Sequence, residues 1–309
     1  MMGRPLGKKD GMALIVTITV IALLTINVVS LFHTAWLQSV FAAGFRDDTK
    51  AYFAARSGHT AAKKILIEDA RKKIPLDTLS EEWSQGTIPI PFGDDYAFVS
   101  IQDESSKVDL NALVSRRGYP QEKMIKVFER LLVKLDLDKA LADSLVDWID
   151  SNSEPRTAGA EDGYYASLKN PYRPKNNRLD SIEELLMVKG FDQKIIGDLR
   201  PYITVWSSGK ININTAVPLV MWALDESITE EMVSGIVRAR TAKPFRVKED
   251  IKRASGMAQV FPRISLFIDV KSDYFFVESM ATINENTKTI RSVYSRKGET
   301  LTPLYYKVF

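Results

Sequence analysis

A long apolar segment lies near the start of the chain, and no charged residue occurs between Gly11 and Phe45. The stretch from Met12 to Phe32 holds about 20 predominantly apolar residues, enough to cross a hydrocarbon core about 30 Å thick as a helix. The sequence therefore predicts a transmembrane helix over residues 12–45. Beyond it, alanine-rich residues 53–66 keep apolar side chains at helical spacing, so we expect the helix to continue outside the membrane.

Alternating apolar and polar residues predict β-strands on both sides of a helical middle region. The predicted strands lie at 95–102, 274–283, 289–295 and 304–309, with the turn-forming residues Asn284-Glu285-Asn286 after the second. The predicted helices lie at 124–132, 140–149, 182–187, 194–199, 216–224 and 230–240, with an extended piece at 211–215. This order predicts an α+β fold, in which a small antiparallel sheet packs on the N-terminal helix and is interrupted by a helical insertion.

The composition excludes several kinds of functional site but says little about the fold. The 309 residues are 45% hydrophobic and 26% charged, with a net charge of +3, which is ordinary for a globular protein. The sequence has no cysteine, and its two histidines are His33 and His59, so disulfides and multi-histidine metal sites are excluded. The paired carboxylates Asp94-Asp95 and Glu161-Asp162 come with no recognisable base, nucleophile or cofactor loop. We expect a protein that is not an enzyme.

Lys8 and Lys9 come just before the apolar segment. By the positive-inside rule, they place the N-terminus in the cytoplasm and the bulk of the chain on the other side of the membrane. A secretory signal peptide would have a shorter apolar core of about 7–15 residues, although residues 41–44 resemble its cleavage site. A plain membrane anchor with a helical stalk remains an alternative at this point.

The basic leader ends in Lys8-Lys9-Asp10-Gly11, and the apolar helix begins at once with Met12. This junction resembles the leader of type IV prepilins. The resemblance implies that a prepilin peptidase cuts after Gly11 and that Met12 becomes the N-methylated first residue. Most pilins carry a glutamate at the fifth mature position, where this chain has Val16. That departure resembles the minor pseudopilins of the K class, which are thought to occupy the tip of the pseudopilus.

Several phrases along the chain resemble the K-class minor pseudopilins of type II secretion systems. These phrases occupy residues 103–111, 147–150, 159–165, 171–176, 183–191 and 211–216. The resemblance implies a type IV pilin-like fold with a large all-α domain inserted in its sheet. It also implies a tip complex with I-class and J-class minor pseudopilins, which initiates assembly of the major pseudopilin and supports export of folded proteins.

On this interpretation the chain divides into five parts. They are a leader (1–11), a transmembrane helix (12–45), the spine helix with the first part of the pilin-like domain (46–105), the inserted helical domain (106–270) and the C-terminal strands that complete the sheet (271–309).

An acidic stretch within the predicted insertion is a candidate cation site. Its possible oxygen ligands are Asp147, Asp150, Asn152, Glu154, Glu161 and Asp162. Oxygen ligands suit calcium, which takes 6–8 of them. An EF-hand is rejected because Pro155 stands at the sixth loop position, where the turn requires glycine. A solvated acidic loop remains the alternative on composition, whereas the resemblance to the K class implies calcium.

A different class of function also fits part of the pattern. Residues 185–199 and 213–240 resemble helix-hairpin-helix units, which would make the chain a membrane-anchored DNA-binding protein of the competence-receptor type. However, the first hairpin has Gly190-Phe191-Asp192, with a carboxylate where a second glycine is expected. The second hairpin has no glycine and is followed by Glu230 and Glu231. These negative charges would repel a phosphate backbone, so we expect no nucleic-acid partner.

Overall fold

The computed structural model describes residues 8–72 and 76–309, with side chains from residue 11 onward. The α-helices are α1 (Lys8–Ala70), α2 (Glu122–Lys134), α3 (Leu141–Ile149), α4 (Asp162–Ala166), α5 (Gln193–Leu199), α6 (Pro218–Ala223), α7 (Glu230–Ala242) and α8 (Met257–Ile264). The strands are β1 (Thr87–Phe92), β2 (Asp95–Asp103), β3 (Val108–Asp109), β4 (Ile203–Thr204), β5 (Ile211–Asn212), β6 (Ile268–Asp269), β7 (Tyr274–Ile283), β8 (Asn286–Lys297) and β9 (Thr300–Val308). Short 3₁₀ helices occupy Glu82–Ser84, Glu104–Ser106, Leu110–Leu113, Ile182–Met187 and Lys248–Arg253.

Helix α1 is a single helix of 63 residues, with an exposed first part and a second part that packs on the sheet. Residues 11–36 are all exposed, and this part is apolar and long enough to cross a membrane. From Ala51 onward one face of the helix is buried against the sheet. The predicted transmembrane helix and spine are thus continuous. Of the predicted leader, residues 1–7 lie outside the described residues, and residues 8–11 begin α1.

Small side chains bring α1 very close to the sheet. Ala51, Ala54, Ala55 and Ala62 are fully buried, and Gly58 lies among them. A Cβ atom added to Gly58 would stand 2.8 Å from the Cβ of Ala97 on β2, closer than real carbon atoms approach. The spacing between α1 and the sheet therefore depends on the absence of a side chain at this position.

The sheet has five strands in the order β1-β2-β7-β8-β9, and all of its neighbouring strands are antiparallel. The predicted turn joins β7 to β8, where Asn284 adopts a positive φ of 53°. Strand β1 is absent from the sequence-based prediction. Its Pro89 and Pro91 argue against a central strand, but they are tolerated here because β1 lies at the edge of the sheet.

His59 is the one buried histidine of the described residues, and it lies where α1 meets the sheet. Its Nε2 lies 2.8 Å from Ser292 Oγ and 3.1 Å from Tyr294 Oη. Burial, with a smaller contribution from the charge of Lys63, lowers the pKa of His59 to about 4. The ring is therefore neutral in the folded protein at neutral pH.

This histidine is expected to make the fold sensitive to acid. The unfolded chain binds a proton at His59 below its ordinary pKa of 6.5, whereas the folded chain binds one only near pH 4, so stability falls as the pH drops between these values. We expect a loss of up to about 3 kcal/mol, which His59→Gln should remove. Urea unfolding of the full chain in detergent at pH 7 and pH 4.5 measures the difference. Equal losses for both proteins would contradict the assignment.

The inserted domain interrupts the sheet: the chain leaves the sheet after β2 and returns to it at β7. Both crossings meet at Asp103, the buried last residue of β2, whose carboxylate accepts hydrogen bonds from the hydroxyls of Thr215 and Ser272 and from the backbone N–H of Ser105. Burial raises the pKa of Asp103 to about 7. Asn212 donates to Ser272 Oγ at 2.7 Å and to the carbonyl of Asp77 at 3.0 Å. Side chains of both domains thus share one hydrogen-bonded junction.

Within the insertion, helices surround one large apolar core. Two short parallel strand pairs, β3 with β4 and β5 with β6, bring distant parts of this domain together. Helix α8 is another element that the pattern did not predict, as are the short helix α4 and strands β3, β4 and β6. Helix α8 follows Gly256, whose φ is +77°, and contains Pro262. Glycine and proline usually mark a break in a helix, so the sequence pattern argued against a helix here.

Candidate functional site

Three of the six predicted cation ligands are buried together where α3 ends and α4 begins. Asp147 lies in the last turn of α3, Asp150 follows that helix, and Glu161 directly precedes α4. Asp147, Asp150 and Glu161 are 0%, 1% and 6% exposed, respectively. Carboxylates are rarely buried to this extent unless they are paired or bind a metal.

Glu161 differs from the other two buried carboxylates in its hydrogen bonding. Both of its carboxylate oxygens are buried, and neither has a hydrogen-bond partner among the described residues. Burial, together with the negative charges of Asp147, Asp150 and Asp162, raises the pKa of Glu161 to about 7. A cation nearby would favour the ionised form of Glu161.

The loop between the two helices closes tightly around Asp147. Asp147 Oδ2 accepts a hydrogen bond of 3.0 Å from the backbone N–H of Arg156, and burial raises the pKa of Asp147 to about 6. A Cβ atom on Gly159 would stand 2.6 Å from Asp147 Cγ, so only glycine fits there. The Arg156 side chain pairs with Asp143 and Glu122, which holds the loop on α2 and α3.

The other predicted ligands lie at the surface of the same loop. Asn152, Glu154 and Asp162 are all exposed. Asn152 Oδ1 already accepts a hydrogen bond of 2.7 Å from the backbone N–H of Glu154. Asp162 lies beside Glu161 and acts on it through its charge. The structure thus separates the six residues into a buried set of three and an exposed set of three.

One candidate ligand escaped the sequence-based prediction. Asn176 Oδ1 is buried without a hydrogen-bond partner among the described residues. Its backbone N–H donates to the carbonyl of Trp148 at 3.0 Å, and its Nδ2 lies 3.4 Å from the carbonyl of Asn152. These contacts place Asn176 beside the acidic loop. An amide oxygen is a suitable fourth donor for calcium. Asn176 was not predicted because it lies outside the acidic stretch of the sequence.

A second acidic group has a different explanation. Asp69, Asp77 and Glu81 hold carboxylate oxygens within 4.8 Å of one another, and among the described residues only this group satisfies that criterion. The Arg296 guanidinium donates to Asp69 at 2.8 Å and also to Asp77, while Trp83 Nε1 donates to Glu81 at 2.8 Å. The positive charge and the donors are supplied by the protein itself, so we assign this group to an ion-pair network.

In both helix-hairpin-helix stretches, a side chain caps the N-terminus of the second helix. In the first, Gly190 has a φ of +87°, and Asp192 caps α5 by accepting a hydrogen bond of 2.8 Å from the backbone N–H of Ile195. The carboxylate thus occupies the helix N-terminus where a phosphate would bind. In the second, the Thr229 hydroxyl caps α7 in the same way.

Basic side chains near the second hairpin also have structural partners. Lys248 donates to the carbonyl of Ser265 at 2.7 Å, and Arg253 donates to the carbonyl of Lys243 at 2.9 Å. Arg240 donates to the carbonyls of Ile213 and Ala216. These contacts use the positive charges to join loops and helices of the insertion.

The residues predicted for processing and assembly lie on the exposed part of α1. Gly11 has no atom near the position of a Cβ, and Met12 and Val16 are 66% and 56% exposed. These side chains are therefore available to a membrane or to neighbouring helices.

Comparisons with known proteins give a consistent picture. Two sequence profiles, both described as "Type II secretion system (T2SS), protein K", match residues 106–208 and 211–270. Type II secretion system protein K of Pseudomonas aeruginosa is 28% identical, over 93% of this chain and 89% of the relative. The protein of the same name from Aeromonas hydrophila is 24% identical, over 94% and 93%. The corresponding figures for Pectobacterium carotovorum are 26%, 94% and 94%.

The fold also matches a solved structure. A chain in the crystal structure of the GspK-GspI-GspJ complex from the enterotoxigenic Escherichia coli type 2 secretion system superposes with a TM-score of 0.72. The match covers 87% of this chain and 99% of the other, at 21% identity. The pilin-like helix and sheet with an inserted helical domain are therefore a known architecture.

Proposed function

Because this chain belongs to the protein K family of type II secretion systems, we propose that it is a minor pseudopilin that caps the pseudopilus and initiates its assembly. The observation that carries the proposal is α1, whose exposed apolar first part continues without interruption into a part packed on the sheet. The first part suits packing beside other pseudopilin helices in the membrane, and the second part fixes the folded domain to that helix.

The proposed partners are I-class and J-class minor pseudopilins, followed by the major pseudopilin. A relative of similar fold was crystallised in a GspK-GspI-GspJ complex. In this chain, Val16 stands where a glutamate would neutralise the N-terminal amine of a following subunit. A subunit at the tip has no following subunit, so the apolar residue carries no penalty there. The helical insertion adds bulk that suits a cap better than a tightly wound shaft.

The same proposal defines the topology. Lys8 and Lys9 hold the N-terminus in the cytoplasm, α1 crosses the inner membrane once, and the sheet and the insertion lie in the periplasm. The role is one of assembly and of support for protein export, without turnover of a substrate.

Processing provides the test of this function. We expect the prepilin peptidase to cut between Gly11 and Met12 and the mature protein to begin with N-methylated Met12. Mass spectrometry of the N-terminal peptide, from cells with and without the peptidase, measures this. An intact Met1 leader in both strains would contradict the assignment.

For the inserted domain we propose a calcium site that stabilises the loop between α3 and α4. Asp147, Asp150 and Glu161 would supply buried carboxylate oxygens, and Asn176 would add its amide oxygen. Asn152, Glu154 and Asp162 are placed to contribute from the surface, directly or through water. Bound calcium would supply the positive charge that these carboxylates lack. The residues themselves position the loop against α3 and hold the insertion rigid.

The DNA-binding alternative is not supported. The protein K profiles cover both hairpin stretches, and the helix N-termini of these hairpins are capped by Asp192 and Thr229.

A further inference from the structure

A cleft of about 560 Å³ opens on the surface of the inserted domain beside the acidic loop. Three arginines, Arg116, Arg117 and Arg178, line it together with Asn177 and Ser151. All three arginines are exposed. The volume lies within the range of about 300–1,000 Å³ that is usual for binding pockets.

These three arginines form no ion pair with a carboxylate within the described residues, although the charge of Arg178 acts on buried Asp109. Among the described residues, no hydrogen bond involves their guanidinium groups, and Arg178 donates its backbone N–H to Asn177 Oδ1 at 2.8 Å. By contrast, seven described arginines pair with carboxylates: Arg46, Arg71, Arg156, Arg200, Arg263, Arg291 and Arg296. Three positive charges that share one cleft repel each other, and an anion between them would remove that repulsion.

The first wall of the cleft is a tight turn that presents Arg116 and Arg117. The backbone N–H of Gly118 donates to the carbonyl of Ser115 at 2.9 Å, which closes the turn. Gly118 has a φ of +81°, and a Cβ atom there would stand 2.7 Å from the Cβ of Ser151. The turn is therefore packed against the chain that follows α3, and both arginines start from a fixed backbone.

The second wall, which presents Arg178, is anchored on both sides. The backbone N–H of Asn176 donates to the carbonyl of Trp148 at 3.0 Å. On the other side, the buried Asn111 side chain accepts from the N–H of Leu179 at 2.7 Å and donates to its carbonyl at 3.0 Å. Two fixed walls lower the entropic cost of binding a ligand between them.

Acidic residues lie around the cleft, but Asp109 and Asp150 are buried and Asp180 pairs with Lys175. None of the described residues that line it is acidic. Asp109 is buried, where the charge of Arg178 lowers its pKa against the larger raising effect of burial. Asp150 is buried as well, and its Oδ1 accepts from the backbone N–H of Asn152. The carboxyl end of α3 adds about half a negative charge at most, against three full positive charges.

We propose that this cleft binds an acidic peptide segment of a protein partner, with carboxylates paired to Arg116, Arg117 and Arg178. Guanidinium groups bind carboxylates through paired hydrogen bonds. The buried apolar residues Val114 and Ile149 also line the cleft and would receive the apolar parts of such a segment. Phosphate sites usually add backbone N–H groups from a helix N-terminus, and the described lining of the cleft contains none. An acidic peptide is therefore the better fit.

The test uses fluorescein-labelled hexaglutamate as the probe and the full chain in detergent, in buffer of low ionic strength with fixed calcium. Fluorescence anisotropy measures the dissociation constant. We expect Arg178→Gln and the double variant Arg116→Gln/Arg117→Gln each to weaken binding by at least about tenfold. Arg117→Lys keeps the charge but loses the paired geometry, so it should weaken binding less than the double variant does.

Arg238→Gln is the matched control because Arg238 is exposed on α7, lies outside the cleft and loses the same charge. It should change the dissociation constant by less than about twofold. An equal loss in Arg238→Gln and Arg178→Gln would overturn the proposal, since it would indicate attraction to net charge alone. Stronger displacement of the probe by inorganic pyrophosphate than by unlabelled hexaglutamate would overturn the assignment to a peptide. Circular dichroism of every variant confirms that each is folded.

Discussion

Saturating calcium is expected to raise the melting temperature of the inserted domain by about 5–10 °C relative to a chelator. Binding of a ligand at one hundred times its dissociation constant stabilises the folded state by about 2.7 kcal/mol. A domain of this size shifts by roughly 2–4 °C for each kcal/mol. Glu161→Gln should remove most of the shift, since both oxygens of Glu161 are buried without partners. Differential scanning calorimetry of the full chain in detergent measures it.

Glu154→Gln is the comparison variant for this experiment, because Glu154 is a proposed ligand only at the exposed edge of the site. It makes the same change of a carboxylate to an amide in the same loop, but Glu154 is exposed. We expect it to keep most of the calcium-dependent shift. A wild-type melting temperature that does not respond to calcium would refute the metal site. An equal loss in the two variants would refute the view that the buried carboxylates form its centre.

Replacement of Gly58 by alanine is expected to destabilise the contact between α1 and the sheet by about 1–3 kcal/mol. Overpacking of a well-packed core usually costs this much, and Ala97 and Ser279 leave no room for the added methyl group. The destabilisation runs against helix propensity, because alanine in a helix is more favourable than glycine by about 1 kcal/mol. Hydrogen exchange of the backbone amides of β2 and β7 reports on this contact directly.

Gly44→Ala tests the same substitution at a position of α1 where nothing lies near the new Cβ. The added methyl group meets no neighbouring atom there, so the hydrogen-exchange protection of the β2 and β7 amides should be unchanged. Equal protection in Gly58→Ala and in the unmodified chain would mean that the helix moves away from the sheet at little cost. That result would contradict the close packing described for Ala51, Ala54 and Ala62.

Hydrophobic periodicity predicted those elements that bury one face over many residues. Helix α1 and strands β2, β7 and β8 belong to this group, and the structure has them near the expected bounds. Strand β1 was missed because Pro89 and Pro91 are compatible with a strand only at an edge, and edge position is a property of the assembled sheet. Helix α8 was missed because Gly256 and Pro262 obscure its short apolar face.

The acidic loop illustrates the limit for functional sites. The sequence grouped six oxygen-bearing residues, because they lie close together along the chain. It did not separate buried Asp147, Asp150 and Glu161 from the exposed members, since burial depends on the packing of α3 and α4. Asn176 and the arginine cleft depend on contacts between distant segments, such as that of Gly118 with Ser151. Local spacing carries no information about such contacts.

The junction at Asp103 has a consequence for how this protein family can change. Asp103 is paired with Phe275 across β2 and β7, so the inserted domain begins and ends at neighbouring points of one strand pair. Domains whose ends lie close together tolerate insertion and exchange, because the host keeps its own hydrogen bonds. Evolution can therefore lengthen or replace the helical domain, provided that donors equivalent to Thr215 and Ser272 still reach the buried Asp103 carboxylate. The helix and sheet can then stay unchanged while the surface that the insertion presents is renewed.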